Sequence, residues 1–291
     1  MKKWVKNKML PLFLSLVMVM SMNDISVSAA STIQRARKNG HKVFLCTGRN
    51  MAIIGEEIRC VGFDRIIASA GGHVETENHV LFDSILPEET IQECLSIFHV
   101  HGLYCRIENT EGIYTDPQME ELLQAANSDK TNSELIRMQK EIEAGIAIQP
   151  YDQYPQNGAY KICFTATSLN AIEETKKYLG ERFHYIVHPY VNSSSCFNGE
   201  IIQKGIDKGK GMEFICRYYN RDRKDTVAFG DSMNDYEMMK ASGISVAMGN
   251  ACEELKNMAD YVCRDVWEDG FTMDFRKWDF CKERLRKESR G

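Results

Sequence analysis

The sequence lacks the cysteine patterns of zinc ribbons, thioredoxin-like motifs and disulfide frameworks. It has ten cysteines in 291 residues, yet no C-x-x-C pair and no His/Cys cluster at the spacing of a zinc site. Cysteines such as Cys46 in VFLCTG and Cys163 in YKICFTA lie within apolar runs, where a buried and reduced thiol is expected. Reduced cysteines favour a reducing compartment, so the sequence predicts a cytoplasmic protein.

A positive net charge is also absent. The 36 lysines and arginines face 41 aspartates and glutamates, which gives a formal net charge of -5 at pH 7. This charge excludes a global attraction to nucleic acid or to an anionic membrane, and neither partner is expected. Any phosphate binding must therefore come from a local arrangement of side chains.

No apolar run is long and uninterrupted enough to predict a membrane span. The most apolar stretch, near the N-terminus, is interrupted by Pro11 and Ser15, so no stable membrane association is expected. It follows several lysines and precedes the small residues SVSAAS, an order typical of a secretory signal. Residues 1–30 thus form an atypical N-terminus, and export after cleavage at Ala30 or Ser31 is an alternative to a cytoplasmic location.

From Ser31 onward the hydrophobic pattern alternates between the periods of helices and strands. STIQRARKNG and RNMAIIGEEIRCVG predict helices, whereas HKVFLCTG and DRIIASAGG predict buried strands. This is the βαβ pattern of a parallel sheet, and residues 199–291 repeat it. We predict an α/β protein with a doubly wound, parallel-sheet (Rossmann-like) core made of residues 31–80 and 199–291, and an inserted α+β domain at residues 81–198.

The stretch VAFGDSMNDYEMM carries the strongest chemical signal. An apolar strand ends at Gly230, and Asp231, Asn234 and Asp235 follow on a short loop that opens a helix. Loops at the carboxyl ends of parallel strands bind ligands in open α/β sheets. Two carboxylates there suit a hard cation such as Mg²⁺. Taken alone, the same residues could simply cap the helix.

Two further segments place polar groups at the ends of elements. FLCTGRN presents Thr47 and Gly48, whose hydroxyl and backbone N–H groups could hold a phosphate at a helix N-terminus. GIDKGKGM places Lys208 at the start of another helix, where a fixed ammonium could neutralise phosphoryl oxygens. Separately, Thr47 is more simply a helix cap and Lys208 a surface lysine.

Together and in this order, these segments resemble the haloacid-dehalogenase (HAD) phosphatase superfamily, specifically its Cof-type branch. The resemblance extends over nearly all of the chain from Ser31. It implies that Thr47 and Lys208 take part in catalysis, that Asn234 helps them and Gly48 bind the phosphate, and that Asp231 and Asp235 bind the Mg²⁺ cofactor. It further implies that the inserted domain is a cap that closes over a small phosphorylated metabolite and sets specificity.

The first motif of that family is missing. Such phosphatases open with an apolar strand ending in D-x-D-G-T, whose first aspartate attacks phosphorus and whose second acts as acid and base. Before Ser31 the only acidic residue is Asp24, a poor candidate for the nucleophile. Read from the third base of the Val17 codon, one choice of codons for residues 17–21 encodes Asp-Gly-Asp-Val. We therefore hypothesise that the N-terminus is a frame-shifted form of the first motif.

Three functions remain open at this point. The first is a Mg²⁺-dependent phosphatase of small phosphorylated metabolites, which is inactive or impaired because the nucleophile is absent. The second is a non-catalytic protein that binds a phosphorylated ligand. The third, an exported protein with a cleaved signal, is disfavoured because the fold would lose its central strand.

Overall fold

The computed structural model describes residues 17–20, 27–75, 79–119, 148–189 and 197–264. The chain divides into two compact units. We call Met1–Gly48, Gly55–Phe82 and Asp207–Gly291 the core unit, and Arg49–Ile54 with Asp83–Ile206 the insert unit.

The core unit is built on an eight-stranded sheet with the order β14-β13-β12-β1-β2-β3-β4-β5. The pairs from β14 across to β3 are parallel, whereas β3 and β4 are antiparallel. This arrangement confirms the predicted α/β class with a mainly parallel core sheet. The strands are β1 Val17–Met20, β2 Lys42–Cys46, β3 Arg65–Ala68, β4 His73–Glu75, β5 Val80–Asp83, β12 Thr226–Gly230, β13 Ile244–Ala247 and β14 Tyr261–Val262.

Helices cover both faces of this sheet because successive strand residues point to opposite sides. Val43 of β2 packs in one apolar cluster with Ile33 of the first helix, and its neighbour Phe44 packs in another with Met212 and Ile215. The core sheet is therefore doubly wound. Its helices are α1 Val27–Lys38, α2 Glu56–Arg59, α5 Lys208–Tyr218, α6 Tyr236–Ala241 and α7 Glu253–Met258.

One predicted helix of this region is wrong. In place of a single helix over residues 49–62, the structure has a 3₁₀ turn at Met51–Ile53 and the short α2. Asn50 starts the turn by accepting a hydrogen bond from the Ile53 N–H, and Gly55 is extended with φ -61° and ψ 156°. The extended backbone at Gly55 separates the two turns, so a single helix cannot form here.

The insert unit contains a six-stranded sheet with the order β10-β11-β9-β6-β7-β8, antiparallel except for the parallel β7–β8 pair. Two helices, α3 Glu88–Val100 and α4 Leu169–Leu179, bury Phe98 and Ile172 in one cluster with Phe164 of β9. The predicted boundary at residues 198 and 199 falls inside β11, because that strand pairs with β9 and β10. The strands are β6 Tyr104–Glu108, β7 Ile113–Thr115, β8 Ile148–Pro150, β9 Lys161–Ala166, β10 Phe183–Pro189 and β11 Phe197–Gln203.

The unusual N-terminus supplies a central strand of the core sheet. Val17–Met20 pairs in parallel with β12 on one side and with β2 on the other. Residues 1–16 and 21–26, including Asp24, lie outside the described residues. Removal of residues 1–30 would therefore take away the strand that both β2 and β12 pair with. Among the described residues, no helix has the length and apolar character needed to cross a membrane.

Candidate active site

Three elements of the core unit bring the sequence-predicted residues to one edge of the sheet. Thr47 follows the last residue of β2, Asp231 follows the last residue of β12, and Lys208 is the first residue of α5. Asp207 caps α5 by accepting a hydrogen bond from the Lys210 N–H at 2.8 Å. The parallel strands end together, so their loops meet at this edge.

Lys208 is the centre of the arrangement. Its side chain is 1% exposed, and its Nζ donates to Asp235 Oδ1 at 2.7 Å and to Asn234 Oδ1 at 2.9 Å. Burial alone would lower the pKa of Lys208, but nearby acidic groups, Asp235 foremost, outweigh burial and raise that pKa. The side chain is therefore a fixed ammonium.

Asp235 is fully buried and uses both carboxylate oxygens. Oδ1 accepts from Lys208, and Oδ2 accepts from the backbone N–H groups of Asp231 and Ser232 at 3.0 and 3.2 Å. The two N–H donors occupy Oδ2, and a metal at Oδ1 would lie beside the Lys208 ammonium, which would repel it. These contacts favour a role in holding Lys208 and the loop, while the metal-binding role of Asp235 stays a prediction.

Asp231 is the carboxylate of this edge whose negative charge is only partly compensated. Burial, and then the nearby charge of Asp235, raise the pKa of Asp231 to about 6, although Lys208 and a hydrogen bond from Asn250 act in the opposite direction. A cation near Asp231 would offset both causes of the shift. Mg²⁺ is commonly held by one or two carboxylates together with waters and substrate phosphate, so Asp231 fits it.

Asn234 lies between Lys208 and the loop after β2. Its Oδ1 accepts from Lys208 and from Ser232 Oγ, the latter at 2.7 Å, which leaves the side-chain NH₂ group as a donor. A Cβ added at Gly48 would lie 3.8 Å from Asn234 Nδ2. The structure thus brings Gly48 and the amide of Asn234 together, as the phosphate-binding prediction requires.

The loop after β3 holds Thr47 in place, and sequence reasoning missed this loop. Thr47 donates its N–H to the Ile67 carbonyl at 2.8 Å and accepts from the Ala70 N–H at 3.0 Å. Ser69 and Ala70 have positive φ values of 50° and 55°. Among the described residues, the 1% exposed Ser69 has no hydrogen-bond partner for its Oγ.

The conformation of Gly71, in the same loop, explains why a glycine is needed where the predicted strand ends. It has φ 99°, and a Cβ there would collide with the carbonyl oxygen of Asp207. Glycine is therefore required for the close approach of the β3 loop to the start of α5. In the sequence, only the two adjacent glycines indicated this close approach.

Cys46, at the same edge, is not a candidate nucleophile. It ends β2 and is fully buried, and burial is the main cause that raises its pKa to about 12. The thiol stays protonated at neutral pH and is a weak nucleophile.

The chain leaves β1 at Met20, whose partners Leu45 and Phe229 lie two residues before Thr47 and Asp231, so β1 runs toward the same edge.

Comparisons with known proteins find relatives along most of the chain. The family model for haloacid dehalogenase-like hydrolases matches residues 18–273. The Bacillus subtilis protein YkrA is 28% identical over 252 residues, which cover 85% of this chain and 88% of that protein. The 5-amino-6-(5-phospho-D-ribitylamino)uracil phosphatase YitU of Bacillus subtilis is 24% identical over 257 residues, with 84% of this chain and 88% of that protein covered.

A solved structure shows the same fold. A sugar phosphatase of HAD subclass IIB superposes with a TM-score of 0.69 at 20% identity, covering 91% of this chain and 99% of that one. The match spans both the sheet with the candidate site and the inserted region.

Proposed function

This chain belongs to the haloacid dehalogenase-like hydrolase family, in its Cof-type branch, and we propose from that premise that it binds a small phosphorylated metabolite through its core unit. The observation that carries the proposal is the buried Lys208 ammonium, which Asp235 and Asn234 hold at the ligand-binding edge of the sheet. A fixed cation in a dry site interacts strongly with phosphate oxygens.

Each residue has a separate task in this proposal. Lys208 neutralises phosphate charge, while Thr47, Gly48 and the amide of Asn234 offer hydrogen-bond donors. Asp231 would hold Mg²⁺, which, when bound, neutralises phosphate charge and orients the group. Asp235 keeps Lys208 charged and fixes the loop that carries Asp231.

We propose that hydrolysis by the chain as it stands is absent or strongly impaired. The family's reaction needs a carboxylate that attacks phosphorus, and the sequence has no D-x-D-G-T motif. The same absence favours a second candidate function, a protein that binds a phosphorylated ligand without turning it over. The inserted unit would then be the family's cap and would determine which ligand is accepted.

Four substitutions directly after β1 test the catalytic assignment. Ser21→Asp, Asn23→Asp, Asp24→Gly and Ile25→Thr create D-M-D-G-T immediately after Met20. We expect this variant to release phosphate from p-nitrophenyl phosphate only with Mg²⁺, and we expect added Asp231→Ala to abolish the release. The unaltered chain should bind inorganic phosphate but release almost none from the ester.

Two results would contradict these assignments separately. If the four-residue variant folds and binds inorganic phosphate but releases none from the ester, the catalytic assignment is wrong and the binding function stands. If the unaltered chain binds no inorganic phosphate with or without Mg²⁺, the phosphate site itself is wrong.

A cytoplasmic location also stays part of this proposal. The eight cysteines within the described ranges are all free thiols, and six of them are buried, including Cys46 and Cys163. Cell fractionation with an antibody to the chain checks the location. Recovery from the culture medium with Ser31 as the first residue would favour the exported alternative.

A further inference from the structure

The insert unit brings together three side chains with metal-binding atoms. His99 lies in the last turn of α3, Cys105 lies on β6, and Asp116 follows β7. Their ligand atoms all lie within 4.8 Å of one another. These residues are far from the core residues discussed above in sequence and belong to a different unit.

The backbone holds two of the three residues in register. The Cys105 N–H donates to Asp116 Oδ2 at 2.8 Å, and the Asp116 N–H donates to the Cys105 carbonyl at 3.1 Å. His99 Nε2 lies 2.8 Å from the same Asp116 Oδ2. The side-chain hydrogen bonds of Asp116 go to Oδ2, which leaves Oδ1 to a ligand.

The chemistry of this donor set selects among metals. Thiolate sulfur and imidazole nitrogen suit Zn²⁺ and related transition metals, whereas Mg²⁺ and Ca²⁺ prefer oxygen alone. With metal–ligand distances of about 2.0–2.3 Å, tetrahedral ligand atoms lie about 3.5 Å apart. A pair of ligand atoms at the 4.8 Å limit would close by about 1 Å on binding. The His99 side chain has room to adjust because it is 47% exposed.

We propose that His99, Cys105 and Asp116 bind a Zn²⁺ ion in the insert unit, with the fourth coordination position open to water or another ligand. Binding replaces the His99–Asp116 hydrogen bond. The Cys105 S–H bond breaks as the Zn–S bond forms, and the proton goes to solvent.

The alternative is that Cys105 is a reactive nucleophile in a Cys-His-Asp triad with His99 and Asp116. Burial, and then the charge of Asp116, raise the pKa of Cys105 well above its ordinary value. The metal-free thiol is thus protonated and only 2% exposed, which disfavours nucleophilic chemistry. A bound metal stabilises the thiolate directly and so does not need a lowered pKa in the free protein.

Cobalt titration of the full chain tests the site. Co²⁺ is added in the presence of a non-thiol reductant and excess Mg²⁺, which occupies oxygen-only sites. We expect a thiolate-to-cobalt absorption band in the near ultraviolet that saturates at about one cobalt per chain, together with the visible bands of tetrahedral cobalt. Zn²⁺ should remove these bands and should raise the Tm of the metal-free chain.

Matched variants assign the signal to the three residues. His99→Ala and Cys105→Ser should both lose the saturable band and the Zn²⁺-dependent rise in Tm. Cys94→Ser, the same change at a buried cysteine of α3 in the same unit, should keep both, and so should His101→Ala.

The proposal is overturned if His99→Ala binds cobalt like the unaltered chain, or if the cobalt spectrum is octahedral and lacks the thiolate band. Should Cys105→Ser fail to fold, His99→Ala decides alone, because its side chain is on the surface. Phosphate binding plays no part in this test, so the zinc site and the phosphate site stand or fall independently.

Discussion

Both units contain a cluster of buried charged side chains, but the two clusters differ in their balance of positive and negative charges. In the core unit, the cation Lys208 faces two carboxylates, Asp231 and Asp235. In the insert unit, two cations and two carboxylates alternate across three strands, with Arg106 Nη2 2.7 Å from Glu108 Oε1 and Lys161 Nζ 2.8 Å from Glu200 Oε2. Lys161 also lies 3.3 Å from Glu108 Oε2, which joins the two pairs.

Their positions in the two sheets account for this difference. Glu108 and Lys161 are direct cross-strand partners within an antiparallel sheet, where opposite charges stabilise the pairing. The core residues lie beyond the ends of parallel strands, where no cross-strand partner exists. A balanced cluster within strands stabilises the sheet, whereas an unbalanced cluster at strand ends favours an additional cation. The three predictions below test this contrast.

The largest effect is expected at Lys208. Lys208→Met leaves the fully buried carboxylate of Asp235 without its ammonium partner, and breaking such a pair costs about 3–5 kcal/mol of unfolding free energy. Urea unfolding measures the loss. Lys204→Met, the same change at an exposed lysine, should leave the midpoint unchanged. Equal losses of unfolding free energy in the two variants would show that the buried ion pair stabilises the protein no more than the exposed one.

A smaller effect is expected in the balanced cluster. Glu108→Gln weakens the contacts of Arg106 and Lys161, but Lys161 keeps Glu200, so we expect a loss of about 2 kcal/mol in urea unfolding. Adding Arg106→Gln should recover part of this loss, because the cluster becomes neutral again. A double variant that is less stable than the sum of the two single changes would refute the role of charge balance. Glu181→Gln, at an exposed site, provides the control.

The third effect depends on pH and is a gain in stability rather than a loss. Because the folded pKa of Asp231, about 6, exceeds its ordinary value of 3.8, protonation favours the folded state, and ionisation lowers stability as pH rises through about 6. Without divalent cations, Asp231→Asn should therefore be more stable than the unaltered chain by about 1–3 kcal/mol at pH 7.5 and equal to it near pH 4.

Adding Mg²⁺ tests whether the carboxylate of Asp231 binds a cation. It should raise the Tm of the unaltered chain at pH 7.5 and leave Asp231→Asn unchanged, because only the carboxylate attracts the cation. Asp152→Asn, at an exposed position of the insert unit, is the matched control. A Mg²⁺ response that persists in Asp231→Asn would show that the unbalanced charge is not what binds the cation.

Most of the core architecture could be predicted because it depends on local patterns. The apolar runs before Thr47 and before Asp231 became β2 and β12, and the helix that opens at Lys208 became α5. The helix predicted over residues 49–62 failed because its apolar period continues through Gly55, where the backbone turns extended. An apolar period identifies a buried face, but a single residue's backbone conformation can end the element.

The sequence by itself determined that Thr47 and Asp231 follow strands of one α/β core and that Lys208 opens a helix of it. Hydrophobic periodicity and the order of the elements can both be seen in the sequence. Only the tertiary structure decided that Asp235 holds Lys208 with one oxygen and the Asp231 loop with the other. It alone placed His99, Cys105 and Asp116 within reach of one metal ion. The physical reason is that the contact partners of a buried polar atom depend on strand register and helix packing between distant segments, which no local pattern records.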